Sequence, residues 1–228
     1  MENLYKKKLI IINNIMIKNR HFRKLHKMIY NDIKQINSPA ILEFGVSDRA
    51  VSTSFFLEFC ELNNGKLYSV DINDLSNKFN SSKWKFIHSR DDNFLVIEES
   101  IKTNSFNIIY LDTIHKADHI EKIFYYYYPK LIEGGFFLID DTSWLPYVKK
   151  SEKDHFYMER NNEESFNRIL EIFYMNRDNF DLELSFIGTG VAKITKLNNN
   201  ELIKPNKISN RKYSLKNFLR TIYLKFFK

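Results

Sequence analysis

Two adjacent carboxylates, Asp140 and Asp141, end the apolar run GGFFLIDD, which reads as a strand buried in a sheet. Side by side they repel each other, and desolvating them is costly without a cation or hydrogen-bond donors. Either the strand runs out into water there, or something positive sits at its end. Acids also end the other strand-like runs: Glu43 in ILEF, Asp71 in LYSVD, Asp91 and Asp92 after WKFIHS, and Asp112 in FNIIYLD. In an open parallel sheet the ligand crevice lies beyond the carboxyl ends of the strands, near the point where strand order reverses. Successive strands that all end in acids therefore mark one crevice.

The elements that must position these acids alternate in period. Apolar residues recur at helical spacing from about Leu4 to Ile33, NSPA breaks the pattern, and ILEFGV begins a strand. STSFFLEFCEL, NFLVIEESI and ADHIEKIFYYYYPKL read as helices between strands, and EESFNRILEIFYMN as a helix after them. Such alternation predicts an α/β fold: a Rossmann-like, seven-stranded, mostly parallel sheet with helices on both faces. In DLELSFIGTGVAKITK two strand-like runs flank GTG, which predicts a C-terminal antiparallel β-hairpin. The chain has six glycines; Gly45 follows the first strand and Gly134 with Gly135 precedes the fifth, where the backbone must turn sharply or approach something closely. The organisation that follows is a helical extension over residues 1–37, a central domain over 38–196, and a basic linker with an amphipathic helix over 197–228.

The 228 residues carry a net charge of +7, unevenly spread. Residues 204–228 hold eight bases and no acid, and residues 1–35 hold nine bases and two acids, so the middle is acidic. That distribution weakens a nucleic-acid reading, because a protein that grips phosphates carries its basic stripe on the working face. It suits a small or neutral substrate. The single cysteine, Cys60, lies in an apolar helix, which excludes a disulfide framework and points to a reducing, cytoplasmic setting. Asn13 and Asn14 interrupt the apolar run near the N-terminus, which reads as an amphipathic helix rather than a signal peptide or membrane span.

Four stretches, ILEFGVSDRAVST, LYSVDIND, FNIIYLDTIHKADHIEKIFYYYYPKLIEGGFFLIDD and LELSFIGTGVAKITK, resemble in order and spacing the class I S-adenosylmethionine-dependent methyltransferases. Within that superfamily the chain looks closest to small-molecule and sugar O-methyltransferases with Asp-x-x-His after the fourth strand and Asp-Asp after the fifth. The resemblance implies that Glu43 and Gly45 meet the methionine part of S-adenosyl-L-methionine, with Ser47 in the same turn, that Asp71 accepts from the ribose hydroxyls, and that Asp91 lies near the adenine. Asp112 belongs to this cofactor set and also to a second one. With Asp140 and Asp141 it matches the carboxylates that hold a divalent cation, Mg²⁺ or a similar ion, in the metal-dependent members. Such an ion would bind a substrate hydroxyl, lower its pKa and aim its oxygen. The plain alternative is that Asp140 caps the next turn and Asp141 is solvated. The first motif departs from the family, which often has three glycines here, since Ser47 and Arg49 stand at the later two positions.

His115, three residues after Asp112, is the candidate general base, with Lys116 as its substitute; packing or capping is the bland role for the same imidazole. His115 and His119 with Asp112 also form a weak zinc-like set. No serine sits in a G-x-S-x-G turn, which argues against a nucleophilic triad. The tyrosines of IFYYYYPKL point all round a helix, so core packing is their expected role. TSWLPYVKKSEKDHFYMERNNEES has the length and polarity of a substrate-covering insertion, with Trp144, Tyr147, His155 and Tyr157 as candidate lining residues. The last helix docks on the N-terminal helix or on a second copy of the chain, or lies on the anionic inner membrane surface. The expected activity is methyl transfer to a hydroxyl acceptor such as a sugar. The alternative is a degenerate methyltransferase-like domain that binds or scaffolds, motivated by Arg49 in the glycine turn.

Overall fold

The computed structural model describes residues 20–145, 147, 156–205, 208 and 214–227. In chain order the elements are α1 (Arg20–Ile33), β1 (Ala40–Phe44), α2 (Val51–Leu62), β2 (Lys66–Asp71), β3 (Trp84–His88), α3 (Phe94–Ser100), β4 (Phe106–Leu111), α4 (Ala117–Tyr127), a 3₁₀ turn (Tyr128–Lys130), β5 (Leu131–Asp140), α5 (Phe156–Asn176), β6 (Phe180–Ser185), β7 (Val191–Lys196) and α6 (Leu215–Phe227). The seven strands form one sheet in the order β3-β2-β1-β4-β5-β7-β6. The first five run parallel, and the β6–β7 hairpin closes the edge antiparallel to β5. Strand order reverses between β1 and β4, so the crevice opens there.

Period-2 alternation divides the interior into two layers. Ile108 and Tyr110 of β4 and Phe136 and Leu138 of β5 enter one core, shared with Leu25, Ile29 and Ile33 of α1 and Phe55, Phe56 and Phe59 of α2. Ile109, Leu111, Phe137 and Ile139, one residue along each time, enter the other, against Ile97 of α3, Ile123, Phe124 and Tyr127 of α4, and Ile169 and Ile172 of α5. Each such side chain contributes roughly 1.5–3 kcal/mol on burial, so the two layers lock α1 and α2 to one face and α3, α4 and α5 to the other. The described part of the N-terminal extension is thus a core element. The expectation for Cys60 holds: it is buried in α2, and burial pushes its thiol pKa up to about 12. In the tyrosine run Tyr127 and Tyr128 are buried, while Tyr126 stacks on Phe94 with ring centroids 3.6 Å apart.

Two element starts differ from the periodicity reading. β5 begins at Leu131, so Gly134 and Gly135 lie inside it rather than before it. Gly134 sits at φ +74°, and pairing with β4 shifts register between Phe106 and Ile108, so the glycines make a bulge in one long strand. α5 begins at Phe156, which converts the end of the proposed polar insertion into helix. Helix α6 leaves Leu215, Phe218, Leu219, Tyr223 and Phe226 exposed. No helix among the described residues is long and apolar enough to cross a membrane.

Candidate active site

The same alternation decides which strand-end acids meet. Tyr110 lies on the face covered by α1 and α2, so Asp112, two residues on, returns to it, and so does Asp140, two residues after Leu138. Glu43 shares that face, in register with Tyr110 on one side and Ser69 on the other. The Tyr110 hydroxyl lies 2.9 Å from Asp140 Oδ2 and 3.2 Å from Asp112 Oδ2, one phenolic proton facing two carboxylates. Burial first, then Asp140 and Asp112, hold the Tyr110 pKa well above its ordinary value, which keeps it a donor. Asp112 is raised as well, by desolvation and then by Asp140 and Asp141, with Lys24 opposing; 35 % of its side chain remains open to solvent.

The positive group at the end of β5 is Lys24 of α1. Its ammonium pairs with Asp140 Oδ1, donates to Thr189 Oγ1 at 2.7 Å, and lies 3.5 Å from Asp141 Oδ1. Lys24 is 1 % exposed and Asp140 3 %. Gly190 makes the turn beside Thr189 possible: at φ +83° it passes so near Ser143 that a Cβ would come within 2.5 Å of that residue's amide nitrogen. Asp141 takes φ +54°, a left-handed conformation that aspartate tolerates better than most residues.

His115 completes the cluster, its Nε2 3.7 Å from Asp112 Oδ1 and 3.5 Å from Asp141 Oδ2. Ser165 of α5 donates to the His115 carbonyl at 3.1 Å, which fixes the turn that carries it. Lys116 does not join it; it faces the cleft between α4 and α5 with Asn161, Glu164 and Arg168. His119 is also elsewhere, 2.6 Å from Asp91 Oδ2, which separates the two imidazoles of the zinc-like set.

The divalent ion expected with Asp112, Asp140 and Asp141 does not fit beside Lys24. Mg²⁺ demands near-octahedral oxygen coordination, whereas the two Asp140 oxygens face an ammonium and a phenol. Among the described residues no group of three or more His, Cys, Asp or Glu side chains could hold a metal ion. The acids are together as expected, and the cation among them is a side chain.

Gly45 is required by the backbone packed against it. It lies at φ +93°, and a Cβ there would come within 2.0 Å of the Asp112 carbonyl oxygen. Ser47, at a position where the family often has glycine, is held at φ +56°, a conformation that costs an L-residue roughly 1–2 kcal/mol. Arg49 is exposed and leaves the turn intact. Asp71 closes the turn by accepting from the Val46 amide at 2.9 Å and the Asn73 amide at 2.8 Å; a carboxylate has about four acceptor sites, so capacity remains for ribose hydroxyls. Asp91 is buried and tied to His119 and to the Thr113 hydroxyl.

Glu43 lies in the core beneath the turn. It is fully buried, with Ser52 Oγ donating at 2.6 Å and Ser69 Oγ at 2.7 Å, and desolvation raises its pKa to about 7 against the opposing serine bonds. It therefore supports the turn through Ser52. A carboxyl raised on folding binds protons more tightly folded than unfolded, so stability is lost as pH rises from about 4.5 to about 7. Above that window the penalty is on the order of 3 kcal/mol. Glu43→Gln should remove this slope and stabilise the protein at pH 8 but not at pH 4, measured by urea denaturation; equal pH slopes in the two proteins would contradict the assignment.

Two cavities open at the carboxyl ends of the strands. One, of about 270 Å³, is lined by Gly45, Asp71, Ile72, Arg90, Asp91 and Thr113 among others; the second, of about 400 Å³, by Leu25, Ser47, Arg49, Ser52, Tyr110 and Asp140 among others. Asp112 lines both. Of the residues proposed for an acceptor pocket, Trp144 packs near Phe166 and Tyr147 is exposed, while His155 and the Tyr157 side chain lie outside the described residues. Sequence reasoning missed Lys24, Tyr110 and Thr189. Lysine in a basic helix and tyrosine in a strand carry no signal; the one hint was a basic N-terminal segment facing an acidic middle.

No protein-family model matches the sequence, and no curated protein matches it. Solved structures do match. A crystal structure of a putative caffeoyl-CoA O-methyltransferase from Staphylococcus aureus superposes with a TM-score of 0.55 at 16% identity, covering 85% of this chain and 99% of that one. The SAH-bound methyltransferase PaMTH1 of Podospora anserina gives 0.54 at 13% identity over 84% and 96%. MycE, a methyltransferase from the mycinamycin biosynthetic pathway in complex with Mg and SAH, gives 0.54 at 18% identity over 78% of this chain, which spans about half (49%) of MycE. The fold is that of the class I methyltransferases.

Proposed function

We propose that the protein transfers the methyl group of S-adenosyl-L-methionine to a hydroxyl of a sugar or another polar small molecule. One observation carries the reading: two cavities at the carboxyl ends of the strands meet at Asp112, with an imidazole beside it. The smaller cavity suits the nucleoside, with Asp71 accepting from the ribose hydroxyls and Asp91 toward the adenine. The larger, along Ser47 and Ser52, suits the methionine end and the acceptor, with Gly45 on the wall of the smaller cavity. When bound, the cofactor supplies a methyl group on a positively charged sulfur.

With the cofactor bound, His115 would take the acceptor's hydroxyl proton as that oxygen receives the methyl group, the cofactor departing as a neutral thioether. Asp112 and Asp141, on either side of His115, stabilise the imidazolium that forms. Asp112, at the junction of the two cavities, offers an acceptor that orients the hydroxyl. Arg49, on the wall of the larger cavity, is a cation for the methionine carboxylate.

The test is transfer of labelled methyl from S-adenosylmethionine to a panel of sugars and other polyols. Label in an acceptor supports the reading. Cofactor binding without transfer to any acceptor would favour the binding-module alternative.

A further inference from the structure

The strand-end acids sit against a charge from the other end of the fold. Lys24 is buried, its Nζ reaches Asp140, Thr189 and Asp141, and its helix is held down by Leu25, Ile29 and Ile33 and by the Lys193–Asp32 ion pair of 2.8 Å between β7 and α1. A buried lysine kept by one carboxylate, one hydroxyl and a second nearby carboxylate has its three donor positions directed at fixed partners. It is built into the site.

We propose that Lys24 is the resident cation of the acid cluster, supplied by α1 in place of a divalent metal, and that removing its side chain converts Asp112, Asp140 and Asp141 into a metal site. Coulomb repulsion scales with the product of the charges, so a divalent ion entering beside the ammonium meets twice the repulsion a monovalent one would. Without the ammonium Asp140 keeps the Tyr110 hydroxyl on Oδ2 but loses the partner of Oδ1, and the oxygen so freed beside Asp112 and Asp141 is a hard donor of the kind that selects Mg²⁺ or Mn²⁺. An ammonium neutralises and orients, but it does not coordinate a hydroxyl and lower its pKa as a metal does. Lys24 is therefore a positioning residue, and deprotonation falls to His115.

The inference concerns cation occupancy and is independent of whether methyl transfer is the reaction. Its test is Mn²⁺ binding to the full chain, read by loss of the free-ion paramagnetic resonance signal. Wild type and Lys24→Arg should leave Mn²⁺ free at millimolar concentration, while Lys24→Ala should bind it at least an order of magnitude more tightly and lose it again in Lys24→Ala/Asp140→Asn. Wild-type binding that Asp140→Asn abolishes would overturn the proposal, and so would a folded Lys24→Ala that gains no affinity. Removing one partner of a buried pair is strongly destabilising. If Lys24→Ala is too unstable to purify, Lys24→Ala/Asp140→Ala should restore folding because both charges leave together. Failure of the double variant to recover would show that the two do not balance each other, and would also overturn it.

Discussion

Gly45→Ala should lower the melting temperature by roughly 10 °C and abolish binding of S-adenosylmethionine. The glycine sits at φ +93° with the Asp112 carbonyl oxygen 2.0 Å from where a Cβ would be, and backbone cannot yield as a side-chain tip can. A left-handed L-residue costs roughly 1–2 kcal/mol and overpacking adds about 1–3 kcal/mol, a large share of a typical stability of 5–15 kcal/mol. For a domain of this size each kcal/mol moves the midpoint by about 2–4 °C. The damage is also local to the proposed chemistry. The Gly45 amide donates to the Val70 carbonyl and the Asp112 amide to the Phe44 carbonyl, both at 2.9 Å, so relief of the clash displaces the residue where the cavities meet. A variant melting within about 2 °C of wild type, with its cofactor affinity intact, would show that the turn tolerates a side chain.

Removing the imidazole should separate catalysis from binding. General-base catalysis contributes roughly 10²–10⁴-fold, so His115→Ala should lose turnover by that factor while affinity for S-adenosylmethionine stays within about threefold, a free-energy change under about 1 kcal/mol. The reason is placement: His115 stands by Asp112 and Asp141 and lines neither cavity directly. Asp112→Asn should fall in the same direction, because it removes both a carboxylate beside the imidazole and an acceptor at the junction of the cavities. Lys116 faces the α4–α5 cleft, so it does not replace the lost base. Full turnover by His115→Ala would exclude it as the base, and parallel loss of cofactor affinity would make it a binding residue instead.

How far the site could be read beforehand follows from the kind of signal each residue leaves. Asp112 and Asp140 were legible because a strand's period fixes their face and the end of the apolar run fixes their depth. The sheet and its terminal hairpin were legible for the same reason. Lys24 was not, because its partners Asp141 and Thr189 lie 117 and 165 positions along the chain and a lysine in a basic helix reads as solvated. Glu43 shows another limit: its strand-end position was legible, but the two serines that enclose it, Ser52 and Ser69, were not. The start of β5 was misread because Gly134 looks like a turn, whereas its left-handed φ makes a bulge that keeps the strand continuous.

Isothermal titration of the full chain with S-adenosylmethionine tests most directly whether the crevice binds that cofactor. Saturable binding is expected, with a dissociation constant between about 1 μM and 1 mM, the usual range for enzyme substrates. Asp71→Ala should weaken it by about 10–100-fold, the loss of charged hydrogen bonds worth about 1.5–3 kcal/mol. No heat of binding at millimolar cofactor, or an affinity indifferent to Asp71→Ala, would contradict the account.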